Sequence, residues 1–314
     1  MTPAITVVAA IIRGVDGRIC LSKRPDHKHQ GGRWEFPGGK VEAGESKARA
    51  LARELEEELG MTQASSTPFM SIAHQYPDIH VTLHFREVRQ WQGEPQGQEG
   101  QQVAWFTLSQ LADLSFPAAN QPVVTALQLP EQLLILPPSF ALKSILKDIE
   151  QLDGAVQGLY LRTLPDSVDK HTALLAIAER CHQQGVRFWV KDNVELALSL
   201  NAYGLHLSSP SLMASQQRPL FPGIVSAACH NATQLDHAET LGLNMALVSP
   251  VKATPSHADA QPLGWQGLAE RVQGRALACY ALGGMSPADL DQARTAGAIG
   301  VAGIGQFWPN LKAK

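Results

Sequence analysis

Residues 39–61 read GKVEAGESKARALARELEEELGM, and this stretch decides how the first half of the chain is read. Residues 46–59 are dominated by Ala, Leu, Glu and Arg, which favour helix because they lose little rotamer freedom in it. Gly44 stands at the entrance and Gly60 at the exit, where a left-handed residue ends a helix at little cost to glycine. Ala48, Leu51, Leu55 and Leu59 predict one apolar stripe. Glu54, Glu57 and Glu58 fall at i, i+3 and i+4, so their carboxylates share another face.

Three like charges so close repel unless something positive lies between them. Hard carboxylate oxygens select Mg²⁺, or Mn²⁺ in its place. Mg²⁺ commonly combines one or two carboxylates with phosphate oxygens, which points to a nucleotide. Arg53 is placed to orient a carboxylate. The bland alternative is a solvated acidic helix face. The register of Gly39, Glu45, Arg53 and Gly60 with the acidic run argues against it.

Taken together, Gly39, Glu45, Arg53, Glu54, Leu55, Glu57, Glu58, Gly60 and Met61 match the Nudix box, and the chain resembles a Nudix hydrolase. Residues 1–129 are most similar to the MutT-type antimutator branch, through SKRP at 22–25, WEFP at 34–37, WQGEP at 91–95, EGQ at 99–101 and FPAANQP at 116–122. The resemblance implies a mixed sheet between helices. It implies Mg²⁺-dependent hydrolysis of 8-oxo-dGTP to the monophosphate and pyrophosphate, which sanitises the nucleotide pool. By the same resemblance the metal would be held by Gly38, Glu54, Glu57, Glu58 and Glu99, with Glu54 or Glu99 positioning or deprotonating water. Gly39, Glu45, Arg53 and Gly60 would shape the box. Arg24 would hold the nucleotide, Phe36 would line the base pocket, and Asn120 would read the purine edge. An amide suits that last task because it donates and accepts at once. One position departs from the pattern: Ile79 stands where the most specific members carry Arg.

Length and composition bound the rest. At 314 residues the chain accommodates two domains, placed at 1–130 and 131–314 with the boundary near Pro130. A net charge of −3 and a pI near 6.4 provide no basic excess for a nucleic acid partner. Cys20, Cys181, Cys229 and Cys279 are scattered and form no CxxC pair, as expected of a cytoplasmic protein without a zinc site or disulfide framework. No apolar run approaches a membrane span. In the first half, residues 5–12 and 18–22 read as paired strands and 80–85 as a half-buried strand. Residues 91–102 read as a surface loop, 103–106 as a strand, and 108–114 and 121–127 as short helices.

Beyond residue 133 the pattern changes to short apolar strands alternating with helices. Strands are read at 133–136, 158–162, 187–191, 204–207, 224–228, 245–248, 278–282 and 299–302, with helices at 172–182, 194–200, 232–241, 267–272 and 287–296. This predicts a (β/α)8 TIM barrel, with a doubly wound sheet as the alternative. The whole chain is thus α/β: an α/β/α sandwich followed by a barrel. The second half resembles the thiamine phosphate synthase and TenI-like family through GLHL at 204–207, ALGGM at 281–285 and GIG at 303–305. Gly283, Gly284, Gly303 and Gly305 are accordingly candidates to bind the phosphate of a ligand, since loops after the seventh and eighth strands do so in barrels. The family's Gln-Leu-Arg-x-Lys motif is reduced to Arg162, with Leu164 in place of the lysine. Asp192 matches one family carboxylate, while Ser208 and Ser211 offer no second. Thr-x-Thr-Lys reads Thr254, Pro255, Ser256 and His257. The barrel is therefore expected not to make thiamine phosphate. His206, His230 and His257 carry only a weak acid–base signal. Two competing readings stand beside nucleotide sanitising: a thiamine-pathway enzyme hydrolysing a related diphosphate, and a barrel that senses a phosphorylated metabolite.

Overall fold

The computed structural model describes residues 4–25, 31–75, 80–137, 139–154, 156–162, 168–254 and 260–308. The chain divides into two compact units, Met1–Leu129 with Gln273–Ala278, and Pro130–Val272 with Cys279–Lys314.

In the first unit, strands β1 (Ala4–Arg13), β2 (Ile19–Lys23), β3 (Trp34–Glu35), β4 (Thr62–Gln75), β5 (His80–Gln92) and β6 (Val103–Phe106) form one sheet. Their order is β3-β2-β1-β5-β4, with β6 beside β2. The sheet is mixed, because β1 runs parallel to β5 and antiparallel to β2. Helix α1 (Lys47–Leu59) begins at Ser46, whose hydroxyl accepts from the Arg49 N–H, and stops at Gly60 in the left-handed conformation. Its Ala50, Leu51, Leu55 and Leu59 pack on Val8, Ala10, Ile12 and Val88. Ala9 and Ile11, of opposite parity on β1, are buried as well, so both faces of this strand are covered. Ala48, expected in the apolar stripe, is exposed, and Ala50 takes its place.

Two further differences have local causes. Strand β4 lacks a clean apolar alternation, because Ser65, Ser66, Thr67 and Pro68 interrupt it. Its pairing with β5 shifts register three times, between Thr62 and Ser65, Ser65 and Ser66, and Pro68 and Met70. The helix expected at 108–114 is a single 3₁₀ turn, Gln110–Asp113, while 121–127 is helix α2 (Gln121–Leu127) as expected.

The second unit is a closed barrel. Strands β7 (Gln132–Ile135), β8 (Gln157–Leu161), β9 (Phe188–Lys191), β10 (Gly204–Leu207), β11 (Ile224–Cys229), β12 (Met245–Val248), β13 (Ala278–Leu282) and β14 (Gly300–Gly303) follow one another around it. Closure of β14 on β7 in parallel register removes the doubly wound alternative. Helices α3 (Leu142–Ile149), α4 (Val168–Gln183), α5 (Val194–Ser199), α6 (Ser209–Ala214), α7 (Ala232–Thr240), α8 (Gly264–Val272) and α9 (Leu290–Thr295) connect the strands. The Trp189 indole fills the interior because its neighbours are small. A Cβ at Gly204 would stand 2.1 Å from that ring, and one at Gly158 would stand 3.0 Å from it. Among the described residues no helix is long and apolar enough to cross a membrane.

An ion pair ties β1 to β5 near the end of their ladder. Arg13 Nε donates to Glu87 Oε1 at 2.6 Å, and Arg89 Nη2 adds a second contact at 3.0 Å. Burial pushes the Glu87 carboxyl up, but the two guanidinium groups outweigh burial and hold it below its ordinary value. A depressed value in the folded state adds stability above the unfolded carboxylate's pKa, and that stability is lost as pH falls through the folded value. Glu87→Gln is expected to cost about 1–3 kcal/mol at neutral pH. Thermal melts of mutant and wild type should converge in acid, and a gap that persists there would assign the effect to packing instead.

Candidate active site

The site of the first unit forms where the segment before α1 runs along β1. Ala10 N–H donates to Pro37 O at 2.7 Å, Val8 N–H to Gly39 O at 2.9 Å, and Val41 N–H to Thr6 O at 2.9 Å. Gly38 has a φ of 146°, and a Cβ on it would lie 2.1 Å from the Val8 carbonyl oxygen. A Cβ on Gly39 would lie 2.3 Å from the Glu54 carboxylate. The first glycine lets two backbones touch, and the second leaves room for a charged group.

Arg53 organises the acidic side chains. Its Nη1 donates to Glu54 Oε1 at 2.9 Å and to Glu57 Oε2 at 3.2 Å. Nε and Nη2 reach the Glu45 carboxylate at 3.3 and 3.2 Å, and Nη2 also reaches Lys40 O at 3.0 Å. The Glu45 and Glu54 hydrogen bonds raise the guanidinium pKa, and the Arg53 hydrogen bond lowers that of Glu45. Glu58 lies outside this network and accepts from the Gly38 N–H at 3.2 Å. Burial, reinforced by the charges of Glu35, Glu54 and Glu99, pushes Glu58 up to about 7 against the pull of that N–H. Residues 96–101 are anchored on the end of α1. Gln98 N–H and Gln101 Nε2 both donate to Glu58 O at 2.9 Å, and Gln96 N–H donates to Leu59 O at 3.0 Å. These contacts satisfy carbonyls that a helix end leaves open and set Glu99, which is exposed, within electrostatic reach of Glu58.

The donor set is entirely hard oxygen and carries negative charge that drives Glu58 upward, which fits a divalent cation. Among the described residues no three His, Cys, Asp or Glu side chains are gathered as a ready-made cage. Glu54 and Glu57 rest on Arg53 instead.

The opposite face of the sheet is aromatic. Phe36 is buried, meets Phe85 edge-on at 5.6 Å and stacks on Phe116 at 5.8 Å. Arg33 Nη1 donates to Phe116 O at 3.3 Å and Trp34 N–H to Ser115 O at 2.9 Å, fixing the two segments together. Asn120 closes a 3₁₀ turn, Ala118–Asn120, with its N–H on Pro117 O. It is only 7% exposed, and its side-chain amide has no partner among the described residues. Arg24 is ion-paired with Glu35. The parallel ladder sets Ile5 opposite Val81 and Val7 opposite Leu83, in the same face as Phe85, and all four are half-buried. Sequence reading did not single out these four, because apolar residues in central strands look like core. Their signal is partial exposure, visible only in three dimensions. Ile79 lies outside the described residues.

At the C-terminal mouth of the barrel, polar groups are paired with one another. Ser286 N–H and Oγ both donate to Asp289 Oδ2, at 2.8 and 2.9 Å, and Lys252 Nζ donates to Asp289 Oδ1 at 2.6 Å. An internal carboxylate thus takes the donors that open the turn after β13. Gly283 and Gly284 have φ of 94° and 64° and pass so close to residues 250–253 that a Cβ would meet Pro250 at 2.8 Å or Ala253 O at 2.6 Å. The Phe307 ring lies over Gly303, 2.4 Å from where a Cβ would be, while Gly305 faces open space. Trp308 Nε1 donates to Ile135 O at 2.9 Å. Asp192 Oδ1 accepts from Ser208 N–H at 2.7 Å, and the Ser208 and Ser211 hydroxyls bond each other at 2.9 Å. His206 Nδ1 meets Ser226 Oγ at 2.8 Å in the interior, where burial lowers its pKa to about 3. His230 Nδ1 lies 3.0 Å from Ser249 O. Arg162 is exposed. Leu164, Pro255, Ser256 and His257 fall outside the described residues.

The family model described as NUDIX domain matches residues 7–126, and that described as thiamine monophosphate synthase matches residues 134–307. The 8-oxo-dGTP diphosphatase of Escherichia coli (strain K12) is 40% identical over 124 residues, spanning 40% of this chain and 96% of that protein. The chain belongs to both families, Nudix in its first half and thiamine monophosphate synthase in its second. It is a hydrolase acting on pyrophosphate bonds. The CTP pyrophosphohydrolase of the same organism is 38% identical over 122 residues, spanning 39% of this chain and 90% of that protein. A thiamine-phosphate synthase of Synechococcus sp. (strain WH7803) is 33% identical over 128 residues, 40% of this chain but only 36% of that protein.

Gly39 provides a direct test of the site. Gly39→Ala must displace the Glu54 carboxylate, and shifts of about 1 Å at a catalytic centre cost on the order of a hundredfold. The mutant is expected to keep its far-UV circular dichroism and lose about that factor in kcat for pyrophosphate-bond hydrolysis. Full activity would show that Glu54 does not need this position.

Proposed function

We propose that the first unit hydrolyses 8-oxo-dGTP to the nucleoside monophosphate and pyrophosphate, and so sanitises the nucleotide pool in the cytoplasm. The observation that carries this reading is the amide of Asn120, a residue only 7% exposed that makes no side-chain hydrogen bond among the described residues and follows the Phe36–Phe116 stack in the chain. An amide with both its donors and its acceptor uncommitted within the protein can pair with a purine edge that donates and accepts. Identity of 40% to an 8-oxo-dGTP diphosphatase supports the same substrate. Ile5, Val7, Val81 and Leu83 would supply the apolar floor for the base, and Arg24 would approach the nucleotide once released from Glu35.

Gly38, Glu54, Glu57, Glu58 and Glu99 would hold Mg²⁺, or Mn²⁺, which would neutralise phosphate charge and lower the pKa of a bound water. Glu54, given its space by Gly39, is the group to take that water's proton, with Glu99 as the alternative. Arg53 keeps Glu54 and Glu57 from repelling each other and orients them. Glu45 in turn fixes Arg53.

The barrel would not form thiamine monophosphate. Asp192 is engaged by the Ser208 N–H, and Ser208 and Ser211 stand where a second carboxylate is needed.

Steady-state hydrolysis of 8-oxo-dGTP, dGTP and CTP with Mg²⁺ tests the reading. Wild type should prefer 8-oxo-dGTP. Asn120→Ala should reduce that preference by about tenfold or more, the worth of one or two buried hydrogen bonds. Glu57→Gln and EDTA should each remove most activity toward every nucleotide. Equal rates on all three nucleotides would reject the purine reading, and a preference for CTP would assign the unit to pyrimidine nucleotides.

A further inference from the structure

The barrel face away from the mouth carries a cavity of about 700 Å³. That volume lies within the range of small-molecule sites, roughly 300–1,000 Å³. Its wall is made by residues that immediately precede four consecutive strands: Arg187 before β9, Tyr203 before β10, Gly223 before β11 and Asn244 before β12. Arg218 lines it as well, together with neighbours that include His182 and Asn201. Two of its described lining residues are arginines, and none is acidic.

Arg218 is held by neutral groups alone. Nη2 donates to Asn244 Oδ1 at 2.7 Å and to Gly223 O at 3.1 Å, and Nη1 donates to Gly242 O. Among the described residues its charge meets no carboxylate, and burial lowers its pKa. A half-buried, rigidly held cation without a counter-ion favours an incoming anion. This contrasts with the mouth, where Asp289 already answers Lys252. Arg187 lies over the Tyr203 ring, 5.1 Å from its centroid, and Trp189 supports that ring edge-on at 5.2 Å. The Tyr203 hydroxyl has no partner among the described residues. A planar guanidinium on a fixed aromatic ring is a stacking platform.

We propose that this cavity binds a small aromatic phosphate monoester, its phosphate on Arg218 and its ring against the Arg187–Tyr203 pair. A phosphate monoester carries close to two negative charges and three strong acceptor oxygens at neutral pH, which suits a held guanidinium better than a singly charged carboxylate does.

Isothermal titration of the full chain in EDTA, with phenyl phosphate, inorganic phosphate and phenol as probes, decides the matter. Saturable binding of phenyl phosphate is expected, tighter than that of inorganic phosphate, with phenol weakest. Arg218→Gln should weaken phenyl phosphate binding by about tenfold, the loss of one charge-assisted contact. Arg218→Lys should retain most of it, which separates charge from structural damage, and Arg187→Gln should narrow the advantage over inorganic phosphate. No saturable binding by wild type, or equal affinity in wild type, Arg218→Gln and Arg187→Gln, would overturn the proposal.

Discussion

A single guanidinium makes the acidic face of α1 tolerable. Arg53 touches Glu45, Glu54 and Glu57 and the Lys40 carbonyl, so one cation binds the helix to the segment that runs along β1. Without it, carboxylates at i, i+3 and i+4 would repel each other and the loop would lose its main tie to the helix. Surface ion pairs are usually worth little, but a forked donor shared among several acceptors in a network is the favourable case. The arrangement also leaves one carboxyl out. Glu58 faces Glu35, Glu54 and Glu99 with only the Gly38 N–H in its favour, and it sits near 7 as a result. Burial and crowded negative charge thus make Glu58 hold a proton more readily than an ordinary carboxyl does.

Much of this was legible in residue order because the box is local. Spacing along one helix puts carboxylates on one face, and Gly60 ends that helix with φ of 68° as a C-terminal glycine should. What spacing could not supply was the reason for the two glycines. Gly38 yields to the Val8 carbonyl and Gly39 to the Glu54 side chain, both contacts that require the folded partner. The same limit hid β4, whose polar, bulged course is held by β5 and not by its own pattern. It also hid the docking of Gln98 and Gln101 on the Glu58 carbonyl, since 91–102 has the composition of a free loop.

In the barrel the balance differs. Short buried strands and their spacing announce the architecture, because strands covered on both faces read as continuous apolar runs. The chemistry of the mouth is not legible in this way. Glycines at 283, 284 and 303 look like a phosphate cradle in sequence, yet the first two accommodate residues 250–253 and the third the Phe307 ring. A glycine motif records only that a side chain would not fit, and the occupant can be a ligand or the protein itself.

That distinction bears on how two families coexist in one chain. At the mouth Asp289 takes the Ser286 and Lys252 donors and Asp192 takes the Ser208 N–H, so a phosphate directed at Ser286 and Lys252 would have to compete with an internal carboxylate. The stability of the barrel does not rest on its mouth, because the strands, the Trp189 interior and the Tyr280 bond to the Pro130 carbonyl are independent of it. Binding elsewhere in the barrel is then to be sought where a cation meets no carboxylate, and among the described residues of the cavity wall that cation is Arg218.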